Sequence, residues 1–352
     1  MSDDPTPDGT TTDVDREPLA GRLDRIQRTR RRRAVGYLVL IAAIGLLFVQ
    51  ALAAAGILDT EYNAAFFLES LRDFVPLTLY FGVVPFVDFG QYLAFIGERN
   101  LLFASDVTLL WRDPATLVGE VSTIVAEDGI FSVFGVAGIT LAMGFAGTII
   151  GFPLALLFGV LGSERVLPFP LNFLFRGTMS AIRAIPALVW ILIYIPLAGL
   201  TPVSAVFAIA TDTVGNLGRL FTDELEEIED GPIEAMETTG ANRSQLVTFG
   251  MLSQVTTPYI AWTLYIFEIN VRIAVSLGVL GGGGLGQVVE TQVNLLQFSN
   301  AMATLLCIFL LIISVELFSQ RIRARLRSDT EPMGLKELIL GFPRRFAESL
   351  TR

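Results

Sequence analysis

Long runs of apolar residues, set between short polar stretches, constrain this chain more than any other feature of its sequence. A helix of about 20 apolar residues crosses a bilayer core of about 30 Å. In lipid, a helix satisfies all its backbone polar groups within one segment. Six such runs can be drawn: 34–57, 136–162, 186–200 (with a start as early as Met179), 203–221, 258–280 and 300–319. Composition agrees. Of 352 residues, 52% are hydrophobic and 17% charged, against about a quarter charged in soluble domains. The expected fold class is all-α, a polytopic transmembrane helical bundle of about six spans.

The arginines orient the bundle, because basic loops stay on the cytoplasmic side. Arg28 and Arg30–Arg33 precede the first run; Arg165, Arg176 and Arg183 lie between the second and third; Arg243 lies between the fourth and fifth; Arg321, Arg323, Arg325 and Arg327 follow the sixth. With six spans and a cytoplasmic N-terminus, all of these fall on one side. The expected location is the cell membrane, multi-pass, with both termini cytoplasmic. The first run exceeds the length of a signal-peptide core of about 7–15 residues, so it reads as a retained anchor. Arg321–Arg327 read as headgroup anchors of the last span.

These runs divide the chain into a disordered, acidic cytoplasmic tail with a basic end (1–33), the first anchor (34–57), an external loop (58–135), a core of five spans (136–327) and an amphipathic cytoplasmic tail (328–352). Within the external loop, the apolar stretch Phe74–Val87 is too short to span. It reads as an interfacial or re-entrant segment.

Several chemistries are excluded or disfavoured. The chain has no His and a single Cys, Cys307, within an apolar run. No His-containing catalytic pair, disulfide framework or zinc-ligand set can be assembled. No G-x-x-x-x-G-K-[ST] phosphate loop occurs. Net charge is −10, which disfavours nucleic acid as a partner. No cofactor or metal is expected, and no enzyme activity.

The most informative segment is 229–258, between the fourth and fifth runs, EDGPIEAMETTGANRSQLVTFGMLSQVTTP. It predicts two short helices. Asp230 or Gly231 caps the first, with Pro232 at its first position. Gly240 ends it in a left-handed conformation. Asn242 and Gln245 form a capping box at the start of the second. A helix-turn-helix here is either a docking element or an ordinary connection.

The residues Glu234-Ala235-x4-Gly240 resemble the EAA motif of ABC-importer permeases. The resemblance to the phosphonate-importer branch runs from about Gly135 to Arg327. It is carried by Asp230–Ala235, Thr239–Ala241, Gln245, Leu264–Arg272 (LYIFEINVR), Leu277–Gly286, Arg183–Pro186 and Gly215–Phe221. Four positions depart from the pattern: Met236 replaces an Ala, Ser253 a Pro, Ile266 an Arg and Asp212 a His. The resemblance implies the type I importer permease fold. It also implies a helix containing Glu234, Ala235 and Gly240 that docks in a groove of a separate ABC ATP-binding subunit. Partners would be two copies of that subunit, an external solute-binding protein and a second permease copy, in a lipid bilayer. ATP hydrolysis would occur on the separate subunit. The implied cargo is phosphonate or a related phosphorus oxyanion. Another small solute, such as an amino acid or other oxyanion, or an ATP-independent secondary transporter, is the alternative.

Ionisable and polar residues within the spans are the candidates for the pathway, since charges at membrane depth face a cavity or a partner. Glu268 and Arg272 are four apart and can pair, either as a structural lock or with Arg272 offered to an anion. Asn270 points to nearly the opposite side, toward another helix. Asp212 and Asn216 make a second polar stripe, with Asp212 either paired with a cation such as Arg272 or protonated. Gly215 and Gly218 read as helix-packing positions. Gly281–Gly284 read as a turning or flexible segment at the outer mouth.

Overall fold

The computed structural model describes residues 19–326 apart from 58, 59, 61, 62, 81–83 and 107. The chain divides into two units, 1–67 and 68–352. In the first, helix α1 spans Leu19–Ala54. The basic cluster Arg28–Arg33 is therefore helical and continuous with the apolar run, where a tail disordered up to residue 33 was expected. The expected acidic stretch 1–18 and the C-terminal tail 328–352 lie outside the described residues.

The expected external loop is folded. Helix α2 (Ala64–Phe74) leads into strands β1 (Leu77–Tyr80) and β2 (Val84–Val87), which pair antiparallel with Leu77 opposite Val87 and Tyr80 opposite Val84. The apolar stretch read as interfacial or re-entrant is thus a hairpin; two four-residue strands pair their backbone groups with each other. Helix α3 (Phe89–Glu98) follows, capped by the Asp88 carboxylate, which accepts from the Gln91 amide at 3.2 Å. Then come α4 (Leu109–Arg112) and α5 (Pro114–Glu127). Asp113 caps α5, and the hydroxyl and amide of Thr116 hold its carboxyl below the usual range.

The core consists of α6 (Gly135–Gly162), α7 (Leu171–Ala184), α8 (Ala187–Ala198), α9 (Pro202–Glu226), α10 (Gly231–Thr238), α11 (Arg243–Gln245), α12 (Leu252–Leu277), α13 (Gly284–Asn294) and α14 (Phe298–Leu326). Helices occupy all six expected span positions, but they are not alike. Among the described residues, four helical stretches are long and apolar enough to cross a membrane: Arg30–Ala54, Ile130–Gly162, Arg243–Gly282 and Phe298–Leu326. At the third position two shorter helices, α7 and α8, meet at a bend of 91° and together are long and apolar enough to cross a membrane. Pro186 enforces the break, because the residue before a proline is pushed out of the helical region; Ile185 is extended at φ −105°, ψ 117°. At the fourth position α9 is less apolar, and it need not be apolar. It packs against α6, α7, α8 and α12 and buries Asp212, Thr213 and Thr222 among them. A helix wrapped by other helices meets little lipid.

Close approach of α6 and α9 comes from small residues. Gly144, Gly147, Gly151, Ala155 and Gly159 line one face of α6. A Cβ on Gly147 would lie 2.4 Å from Ile209, and one on Gly151 would lie 2.6 Å from the Ala210 carbonyl. Gly159 in turn meets Phe221, so the two helices run parallel. Such small-residue stripes let backbones meet where lipid supplies no hydrophobic drive.

One end of the core is closed by the 68–134 segment. Val136 and Ala137 donate to the carbonyls of Asn100 and Leu101. The Tyr92 hydroxyl donates to the Phe74 carbonyl at 2.6 Å, and Phe74 packs on Phe298 with ring centroids 4.9 Å apart. Tyr92, Phe95 and Leu101 join one buried cluster with Ala137, Val271, Leu285 and Cys307. The glycine run lies at this same end and is a tight turn. Gly283 and Gly284 have φ of +100° and +70°, and the Leu285 amide donates to Thr140 Oγ1 at 2.9 Å. At the opposite end, Tyr259 stacks on Phe221 at 4.0 Å and donates to its carbonyl, and Trp262 donates to Glu224 at 2.6 Å.

Candidate functional site

The segment between α9 and α12 builds the first element. Asp230 occupies the N-cap of α10, but its side chain makes no capping bond, and Pro232 takes the second helical position, not the first. The Asp230 carboxylate is engaged by Arg165, from the turn after α6. The same guanidinium donates to the carbonyls of Glu226 (3.2 Å) and Ile228 (3.0 Å). Arg243 donates to the Val166 carbonyl at 2.8 Å. Two arginines therefore tie this segment to the α6–α7 turn.

The helix presents two faces. Ile233 is buried in a cluster with Leu225, Phe221, Val166 and Met251, and Met236 lies against Gly250. Glu234 and Ala235 are exposed. Gly240, at φ +79°, reverses the chain. Asn242 and Gln245 form the reciprocal capping box, each bond at 2.9 Å. Phe249, which was not singled out in the sequence, is 67% exposed within this segment. It is the one aromatic residue of 229–258, which was the available signal.

The five pathway candidates fall into three separate clusters. Asn270 is buried between α6, α9 and α12, and its Nδ2 donates to Thr148 Oγ1 and Thr213 Oγ1, both at 2.8 Å. Each threonine hydroxyl donates to a carbonyl of its own helix, Gly144 and Ile209. The amide thus bolts three helices together.

The second cluster joins α12 to α14. Arg272 donates to Glu268 at 2.6 Å and also lies 3.6 Å from Glu316. Arg323 lies 3.6 Å from the other oxygen of Glu268. Two acids and two arginines balance, with Glu268 the most buried at 8% exposure. Glu316 was not singled out in the sequence, although an acid within the last apolar run was visible. Arg323 turns inward to this cluster, where it was expected to anchor headgroups.

The third cluster lies on α7 and α9. Asn216 Nδ2 donates to Asp212 Oδ2 at 2.9 Å, and its Oδ1 accepts from Arg183 Nε at 3.2 Å. Asp212 therefore faces Arg183 through Asn216. Its expected pairing with Arg272 is not made, because Arg272 is held on the α12–α14 side. Gly215 and Gly218 do serve packing: a Cβ on either would meet α7, at Ile182 or Met179.

A cavity of about 750 Å³ lies between α6, α12 and α14, lined by Phe131, Phe145, Phe267 and Phe318 among others. No charged side chain lines it, so it offers an anion no partner. Among the described residues, no cluster of His, Cys, Asp and Glu could hold a metal ion.

Comparison with known proteins matches these elements. The chain is 34% identical over 207 residues to a putative phosphite transport system permease protein of Stutzerimonas stutzeri, covering 57% of this chain and 72% of that one. It is 32% identical over 194 residues to a phosphate-import permease protein of Mycolicibacterium smegmatis, covering 55% of this chain and 36% of that one. It is 35% identical over 116 residues to a putative cryptic phosphonate transport system permease protein of Escherichia coli, covering 33% of this chain and 95% of that one. Residues 147–328, just over half of the chain, match the family described as binding-protein-dependent transport system inner membrane component. The match spans α7 to α14 and most of α6, and so includes all three polar clusters and the exposed face of α10. With its several apolar helices, this multi-pass membrane protein belongs to the inner-membrane permease family of binding-protein-dependent ABC importers.

Proposed function

We propose that this chain forms the translocation pathway of an ATP-driven importer for phosphonate or a related phosphorus oxyanion. Two copies would pair, each docked through α10 on one of two separate ATP-binding subunits that hydrolyse ATP. An external solute-binding protein would deliver the anion to the face closed by the 68–134 segment. The basic starts and ends of the apolar helices favour the α10 end, and both termini, on the cytoplasmic side.

The observation that carries the docking role is the two-faced geometry of α10. Ile233 anchors it to the bundle while Glu234 and Ala235 point outward. An outward helical side with two acids, Glu234 and Glu237, and the small Ala235 fits helix-in-groove recognition. Closure of the ATPases would draw the docked helices together. ATP drives the change only through its different interaction with the two states. The substrate class rests on the relatives named for phosphite, phosphate and phosphonate transport.

The test is uptake into proteoliposomes holding the permease with its ATPase and binding protein. Labelled phosphonate, phosphite and phosphate are compared with and without internal ATP, beside Glu234→Arg. ATP-dependent uptake of at least one anion, lost in the variant, is expected. Uptake that needs neither ATP nor the ATPase, and that survives in Glu234→Arg, would instead make the chain a secondary transporter.

A further inference from the structure

Among the described residues, Arg183 lacks the carboxylate partner that five other arginines of the core have; Arg243, Arg321 and Arg325 lack one too, but they lie at the ends of spanning helices. Arg165, Arg176, Arg219, Arg272 and Arg323 each lie within 4 Å of a carboxylate. Among the described residues no carboxylate lies that close to Arg183, and its side chain is exposed. Its one hydrogen bond is from Nε to Asn216, whose amide is in turn fixed by Asp212. Held by Nε alone, the guanidinium keeps both Nη groups, with four N–H donors, free.

The depth of this side chain makes the exposure significant. The Arg183 backbone and Cγ pack against Gly215 of α9. Gly215 lies within the apolar run 203–221, about 18 Å from its start and about 9 Å from its end, so Arg183, which was expected in a cytoplasmic connection, packs beside a spanning helix instead. A charge at that depth is too costly to face lipid, so it faces water or a partner. It also sits at the break of the α7–α8 span, one residue before the helix end at Ala184. Broken helices in transporters expose polar groups where they line a cavity.

We propose that Arg183 binds the anion during its passage through the membrane, with Asn216 and Asp212 as positioning residues that hold the guanidinium fork outward. This deepens the reading of the chain as a permease for a phosphorus oxyanion and rests on it. A tetrahedral oxyanion presents two oxygens to such a fork, which makes two parallel charge-assisted bonds. Arg272, the arginine expected for this role, is neutralised by Glu268 and Glu316. Asp212, behind Asn216, offsets part of the Arg183 charge, which favours release over trapping.

The assembled transporter tests this in two measurements. Uptake of labelled phosphite by Arg183→Gln should fall about tenfold or more, the loss of a charged hydrogen-bonding partner. Arg183→Lys, which keeps the charge but not the fork, should fall between that variant and the parent. Because Arg183→Gln could lose uptake by misfolding, its thermal unfolding midpoint and its co-purification with the ATPase are compared with the parent's, and Arg183→Cys in a Cys307→Ala background is treated with a membrane-impermeant thiol reagent. Labelling of that cysteine, with lost uptake in a folded and assembled Arg183→Gln complex, supports a water-accessible anion-binding position. Absence of labelling, a misfolded Arg183→Gln complex beside a parental Arg183→Lys one, or parental uptake in Arg183→Gln overturns the inference. A parent complex that carries none of the phosphorus anions instead overturns the substrate reading, which separates the two failures.

Discussion

Arg165 Nη2 donates to the carbonyl of Ile228, 63 positions later in the sequence, at 3.0 Å. With its bonds to Glu226 and Asp230, it makes the turn after α6 and the lead into α10 one mechanical piece. A displacement of α10 is therefore passed to the parallel pair α6 and α9.

The first prediction follows from that strut. In Arg165→Ala, transported anion per ATP hydrolysed should drop, because hydrolysis continues on the partner while the link to the pathway loosens. Arg165→Lys should not restore the ratio, since an ammonium lacks the fork that reaches two carbonyls and a carboxylate at once. Parallel assays of uptake and phosphate release measure this. An unchanged ratio in both variants would remove the strut from the coupling path.

Asn270 should matter to stability. Asn270→Leu removes both bonds that bridge α12 to Thr148 and Thr213. Hydrogen bonds between transmembrane helices contribute about 0.6–1.7 kcal/mol each. A loss of about 1–3 kcal/mol is expected in denaturant titration of the detergent-solubilised protein. The Thr148→Val, Asn270→Leu double variant should lose less than the sum of the singles, because the two share a bond.

The charge cluster between α12 and α14 should show the same coupling with larger amplitude. Glu268→Gln leaves Arg272 and Arg323 facing each other without their shared acid. Removing one partner of a fully buried pair costs about 3–5 kcal/mol. Arg272 is 43% exposed, so about 2 kcal/mol is expected here. Adding Arg272→Gln should recover part of it. Thermal unfolding midpoints of the singles and the double decide; strict additivity would mean the charges do not act as a cluster.

Glycine replacement separates the packed face of α6 from open positions. Gly151→Leu places a side chain where a Cβ alone would sit 2.6 Å from the Ala210 carbonyl. Overpacking of this kind costs about 1–3 kcal/mol or more. Gly119→Ala in α5, with nothing within 4 Å of its Cβ, should instead stabilise its helix by about 0.5–1 kcal/mol. Circular dichroism melts of the two variants should therefore shift in opposite directions.

The sequence alone determined the membrane class, the places of most spanning helices, the short helix α10 with its Gly240 reversal, the Asn242–Gln245 capping box and the pairing of Glu268 with Arg272; the expected second short helix instead runs on unbroken from Arg243 into α12. These are local: run length, caps and i, i+4 spacing act within a few residues of chain. The tertiary structure decided the rest. It paired Leu77–Tyr80 with Val84–Val87 as antiparallel strands within the apolar stretch. It broke the third span at Pro186, a break that reads in sequence as a later start. It gave Asn270 two partners on other helices, recruited Glu316 and Arg323 to Glu268, and placed Asp212 behind Asn216 and Arg183 instead of beside Arg272. The last three depend on which helix faces which, and the small-residue face of α6 meeting α9 fixes part of that. A long-range fit between surfaces leaves no periodic mark near the residues it brings together, so their partners became visible only once the helices were packed.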